Sequence, residues 1–240
     1  MHDDGNTDFA RGCVLSDGEV DFLWWFIQGS IMDPDVRQRL DAHWGLCARH
    51  GLAFFIVEAA FRPHLIHGCS ILYGALMQRA VNVLDDRGMH GLVPVNVCRY
   101  LLRATGPCHM CDLRYDERSE ASAPPERLAQ GRDTSNARRF ADENRRGWQP
   151  FVCSRCTGKD GPVLCRPHLI EALGQQRSND IRSQHTYVEA IRAHLANFEN
   201  SFRWIHRDTD TDEDRGALIA AIGWCGGWSK LLASLLEGLI

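Results

Sequence analysis

The sequence lacks any long hydrophobic run. Its longest charge-free apolar stretch near the C-terminus, 216–229, is too short to span a bilayer and is interrupted by Gly223, Gly226 and Gly227. No membrane segment is therefore expected. The opening MHDDGNTDFARG is acidic and polar, without the basic start and apolar core of a secretory leader, so the expected location is the cytoplasm. Strand patterns are missing too: no convincing period-2 alternation appears, apart from room for short ribbons at the Cys-x2-Cys pairs. H-E-x-x-H, G-x-S-x-G, Walker-type and Rossmann glycine patterns are all absent, which removes the most recognisable catalytic signatures and leaves enzymatic activity open. A net charge of -4 argues against a dedicated nucleic-acid binder. A protein partner is the remaining macromolecular expectation.

What is present reads as helix. Ser16-Asp17-Gly18-Glu19 has the form of a capping box in front of the apolar run 20–31. Asp33-Pro34 supplies an N-cap and a first-turn proline for a helix ending at Gly45. Further helices are expected over 47–61 and 64–84, the latter with Leu65, Ile66, Cys69, Leu72, Tyr73, Leu76 and Met77 as its apolar stripe. The segment 115–133 is charged and carries Pro124-Pro125, and is expected to be a mobile loop. A short exposed helix over 134–146 follows, its arginines forming a solvated face. Helices over 166–176 and 179–203 and a final helical region broken near Gly226-Gly227 complete an all-α bundle. A division into modules 1–105 and 106–240 is expected, each built around a cysteine–histidine element.

Ten cysteines in a cytoplasmic chain are more readily metal ligands or reactive thiols than disulfides. Cys69, Cys98 and Cys225 lie in apolar surroundings and read as buried hydrophobes. The stretch PFVCSRCTGKDGPVLCRPHLI is different, packing Cys153, Cys156, Cys165 and His168 as C-x2-C-x8-C-x2-H. A two-residue spacing points both sulfurs of a pair at one ion, and Cys-x2-His at a helix start completes a tetrahedron suited to zinc, in the manner of zinc-knuckle or treble-clef elements.

The element Leu-Cys-x2-His occurs twice, at Leu46–His50 and Leu164–His168, which suggests a diverged duplication. On that view Cys108 and Cys111 are the upstream pair for Cys165 and His168, leaving Cys153 and Cys156 for a second ion, whereas the compact alternative uses Cys153, Cys156, Cys165 and His168 together. Spacing does not choose between these. The first copy has only Cys13 upstream, with Ser16 where a second cysteine would fall. Cys13, His43, Cys47 and His50 form its candidate site.

With its DPDVRQRLDAHWGLCARH, GCSILYGALM, VLCRPHL and HLANFENSFRW segments, the chain resembles a family of uncharacterised, mostly helical, cysteine-rich bacterial proteins, especially actinobacterial ones, that form a domain of unknown function. Its members repeat a Cys-Pro-x-Cys pair and a Gly-Phe/Leu-Cys-x2-His helix start. The resemblance implies a helical fold and no particular activity. Ser16, His109-Met110 and the additional Cys153 and Cys156 depart from the family pattern.

The leading expectation is a zinc-stabilised helical protein with a structural, regulatory or protein-interaction role. One alternative is a haem enzyme hydroxylating aromatics, with the haem attached at His43-x3-Cys47, Trp24, Trp25, Phe54 and Phe55 lining its pocket, and His64, His67 or His90 as the other axial ligand. Another is a thiol redox sensor using Cys153 and Cys156, whose thiolates Arg155 and Lys159 would favour. An iron–sulfur cluster on the same cysteines is a further possibility.

Overall fold

The computed structural model describes residues 15–85, 95–175 and 180–235. Cys13 and His90 lie outside them. Among the described residues the protein is all helix and turn, with no strand, and no helix is long and apolar enough to cross a membrane. The ribbon expected at the cysteine pairs is reduced to a turn, where the Ser154 N–H donates to the Val163 carbonyl at 2.9 Å.

The first helix, α1 (Asp17–Gln28), begins with the expected capping box: Ser16 accepts from the Glu19 N–H, and the Glu19 carboxylate accepts from the Ser16 N–H. After a short 3-10 turn, Asp33 caps α2 (Pro34–His43), which ends on Trp44 in the left-handed region. The next helix, α3 (Ala48–Phe61), is buried over nearly its whole surface, so it shows little amphipathic pattern and forms the middle of the core. Then comes α4 (His67–Leu84), starting three residues later than sequence indicates. The reason is Glu58 of α3, whose fully buried carboxylate accepts from the Gly68 and Cys69 N–H groups at 2.8 and 2.7 Å and fixes the first turn there.

Two short helices, α5 (Val95–Leu101) and α6 (His109–Asp112), lead into the segment expected to be loop. Part of it is helical: α7 (Pro125–Gly131) starts on its proline and buries Leu128, and Gly131 sits against Val20 and Phe61. Pro124-Pro125 thus opens a helix, since proline suits a first turn. α8 (Ser135–Glu143) and α9 (Arg145–Trp148) follow. On α8, Ala137 and Ala141 face inward, and Arg138 donates to the Ser234 carbonyl at 2.6 Å.

The C-terminal part contains α10 (Arg166–Gly174), α11 (Asp180–Ser201), α12 (Asp212–Gly226) and α13 (Ser229–Ser234). α11 runs against both α4 and α12, and α12 is buried almost throughout and touches α3. A second capping box, Thr211 with Asp214, starts α12. Gly216 lets α12 approach α9 closely: a Cβ there would come 2.6 Å from the Gly147 Cα. Gly227, at φ 92°, ends α12 where sequence places the break. Apolar side chains from both halves, including Phe54, Phe55, Trp44, Trp148, Trp224 and Trp228, join in one continuous core.

Candidate metal centres

Both Leu-Cys-x2-His elements do the same thing locally. Cys47 and Cys165 are the N-cap residues of α3 and α10, in extended conformation, and His50 and His168 occupy the third helical position. That places sulfur and imidazole side by side at the helix start, the spacing a capping box uses for hydrogen bonds. The positive end of the helix dipole favours a thiolate there.

Each element meets one Cys-x2-Cys pair. In the C-terminal centre His168 Nδ1 lies 3.2, 3.5 and 3.3 Å from the sulfurs of Cys153, Cys156 and Cys165, and the latter two sulfurs are 3.8 Å apart. In the N-terminal centre His50 Nδ1 lies 3.3, 3.5 and 3.4 Å from Cys47, Cys108 and Cys111, with 4.0 Å between the Cys47 and Cys111 sulfurs. Within each set all four donor atoms fall within 4.8 Å of one another, and each set can hold a metal ion.

Hydrogen bonding alone does not account for this convergence. Three sulfurs surround one imidazole nitrogen, which has a single lone pair or a single N–H. Electrostatics say the same. Hydrogen bonds from Cys156 and Cys165 hold the Cys153 thiol far below its ordinary range, while the Cys156 and Cys165 thiols are pushed up beside that charge. Likewise a hydrogen bond from Cys47 lowers Cys108, and Cys47 itself is raised to about 11 beside it. Each cluster accommodates one negative charge readily and resists the next, a conflict that a central cation resolves.

Of the two pairings that spacing left open, the structure brings together the compact one, and it leaves His43 outside the sets. Cys108 and Cys111 join Cys47 and His50, not Cys165 and His168, because the chain before them is anchored to the end of α2. The Thr105 N–H donates to the Ala42 carbonyl at 2.8 Å, and the His43 ring nitrogen Nδ1 bonds the Gly106 carbonyl at 2.9 Å. That anchorage delivers Pro107-Cys108 to the start of α3, where the Cys47 N–H donates to the Cys108 sulfur at 3.4 Å. His43 is therefore committed to backbone and is not a member of the four-residue set. Ser16 is a cap, and its hydroxyl donates to the Asp116 carbonyl at 2.7 Å.

Residues considered for a haem pocket are dispersed. Phe54 and Phe55 are fully buried between Phe26 and Phe140, whereas Trp25 is exposed and Trp24 lies under Arg127. His67 packs on Phe202, and His64 is exposed.

One contributor had no sequence signal beyond its capping role. Glu19, fully buried, presents Oε1 3.2 Å from His50 Nε2 and 2.6 Å from Arg49 Nε, and its Oε2 accepts from Arg49 Nη2 at 2.8 Å and from the Ser16 N–H at 2.8 Å. Burial alone would raise its pKa, but these donors outweigh it and hold the group at about 2. His50, which burial alone would lower, is raised to about 9 by Cys47 and Glu19. A carboxylate behind a ligating imidazole fixes which nitrogen faces the ion.

The chain matches no protein-family model, no curated protein and no solved structure.

Proposed function

We propose that the protein is a two-zinc helical protein in which each ion is held by three cysteines and one histidine, and whose role is regulatory or interaction-based. The supporting observation is the geometry of the donor sets. A tetrahedral zinc, with Zn–S of about 2.3 Å and Zn–N of about 2.0 Å, separates two sulfur ligands by about 3.8 Å and a sulfur from a nitrogen by about 3.5 Å. The two centres have sulfur–sulfur separations of 3.8 and 4.0 Å and sulfur–nitrogen separations from 3.2 to 3.5 Å. A multi-iron cluster distributes its cysteines over separate irons and needs them farther apart than one ion does. Four protein ligands leave no open position for a reacting water, so the metal serves structure rather than hydrolysis.

Metal-stabilised helices would leave the remaining surface free for a partner. Trp204 and Ile205, between α11 and α12, are 82% and 79% exposed, and Trp204 stands at the rim of a cleft of about 650 Å³ walled by Phe140, Phe198 and Phe202. Large exposed apolar side chains beside a concavity suit a protein contact.

The test is metal analysis and a visible spectrum on untagged protein purified from cells supplied with both iron and zinc. Two zinc per chain and a colourless solution are expected. A Soret band, iron–sulfur absorption, or a chain that carries no zinc overturns the reading.

A further inference from the structure

The two centres differ in accessibility. In the C-terminal centre Cys153 and Cys165 are 0% and 1% exposed. In the N-terminal centre Cys111 is exposed, alone among the described cysteines. Its sulfur opens onto a cleft of about 330 Å³ that Cys47 also lines, together with Arg49, Tyr115, Glu117 and Arg118. Cys47 stands behind it with its sulfur 4.0 Å away.

Those features are what a thiolate needs to react with a soft, oxygen-bearing electrophile. Metal coordination keeps the sulfur deprotonated at neutral pH, and exposure gives access. Arg49 on the cleft wall is paired with Glu19 and Glu117, so the cation at the mouth that can meet a departing anionic oxygen is Arg118, beside Asp116 and Glu117. A second thiolate within reach captures the oxidised sulfur before it is oxidised further. Of the pair singled out from sequence for redox chemistry, Cys153 is fully buried and Cys156 is half-buried, so neither is as open as Cys111.

We infer that Cys111 is a modification site for hydroperoxides, with Cys47 as its resolving partner, so that oxidation discharges the N-terminal ion and leaves the C-terminal one in place. This rests on the two-zinc reading. The Cys111 sulfur attacks a peroxide oxygen, the O–O bond breaks, and the departing hydroxide or alkoxide takes a proton from solvent. Cys111 is now a sulfenic acid. The Cys47 sulfur attacks it, a disulfide forms, and the second hydroxide leaves as water after protonation. Two thiolates have lost two electrons in total, and one hydroperoxide has been reduced to water and an alcohol, or to two waters from hydrogen peroxide. Only Cys108 and His50 then remain on the ion, which dissociates. A dithiol reductant and zinc restore the site.

The experiment uses the full zinc-loaded chain, whose metal content is measured first. Hydrogen peroxide is added with a chromophoric chelator present, and cysteines are mapped by differential alkylation and peptide mass. One zinc per chain is expected to appear at least tenfold faster than the other, accompanied by a Cys47–Cys111 disulfide, with Cys153, Cys156 and Cys165 still protected. A short pulse of N-ethylmaleimide without peroxide should mark Cys111 first. Both ions released at one rate, the C-terminal ion released first, or Cys111 unmodified when the first zinc has gone overturns the assignment. A chain that starts with two zinc and ignores peroxide overturns this inference alone, whereas one that starts with fewer than two overturns the two-site reading beneath it.

Discussion

Replacing Glu19 with glutamine isolates the role of a single buried carboxylate in holding the N-terminal centre. Its two oxygens receive three hydrogen bonds, from Arg49 Nε on Oε1 and from Arg49 Nη2 and the Ser16 N–H on Oε2, and His50 Nε2 stands 3.2 Å from Oε1. A glutamine has one carbonyl oxygen, so its NH2 must take one of these two positions whichever way the amide turns. One or two donors are therefore left opposite another donor, in a place that is 0% exposed at Glu19 and 2% at His50. Losing one or two buried hydrogen bonds, one of them from a charged donor, costs about 2–3 kcal/mol of folding stability. Removing the carboxylate behind a ligating imidazole lowers metal affinity by about 10- to 100-fold, equivalent to about 1.4–2.8 kcal/mol. The C-terminal centre is an internal standard, because none of its ligands touches Glu19. A competition titration with a chromophoric chelator should resolve two ions in Glu19→Gln, one released at markedly lower chelator concentration than in the parent and the other unmoved. If neither ion shifts, or both shift equally, the carboxylate does not orient His50 and the argument fails.

Three further outcomes follow from the packing and the charges. Cys165→Ser should lower the metal content from two ions to one and expose the backbone of α10 and neighbouring segments to hydrogen exchange, since binding free energy at such a centre is folding free energy; unchanged zinc and exchange would contradict it. Asp214 would be raised by burial alone, but donors from His194, Thr211 and Asn197 hold it below its ordinary value, so its contribution is complete above the unfolded pKa of about 3.9 and is lost as the pH falls through the lower folded value. Asp214→Asn should accordingly cost about 1–2 kcal/mol at neutral pH and flatten the acid limb of a stability-versus-pH curve below about 4, as read by urea unfolding. Gly216→Ala should destabilise by about 2 kcal/mol or more in a thermal melt, because the new methyl meets the backbone of Gly147 and not a movable side chain.

Sequence alone offers the C-terminal set as the compact one of two open pairings, and the set does meet, because its residues fall within one turn and one helix start. Nothing local could assign the other set, since Cys47 and Cys111 are brought together by the anchorage of Thr105 and Gly106 on α2, a tertiary contact. His43, in the right neighbourhood but bonded to the Gly106 carbonyl, made an upstream site attractive. A stoichiometric argument was nonetheless available: two Cys-x2-His elements and two intact Cys-x2-Cys pairs make two tetrahedra if each element takes one pair. Most helices were readable from caps and apolar periodicity, as at Ser16, Asp33 and Gly227. The late start of α4 was not, because the group that caps it, Glu58, comes from a different helix and looks in sequence like an ordinary helical residue. α7 was missed because charge and proline outweighed the single anchoring Leu128.

The chain order within the two centres also bears on how the protein reaches its native state. At the C-terminal centre the pair precedes the helix start, and Cys153 and His168 are separated by 15 positions; at the N-terminal centre the order is reversed, and Cys47 and Cys111 are separated by 64. Closing the longer loop costs about 1.3 kcal/mol more in chain entropy, and it brings together parts of the chain that must first fold locally. The short loop can therefore close around an ion while most of the chain is still unstructured and serve as a starting point. On the two-ion reading the long one would be a late fastener, closing after α2, α3 and the segment after α5 have taken their positions.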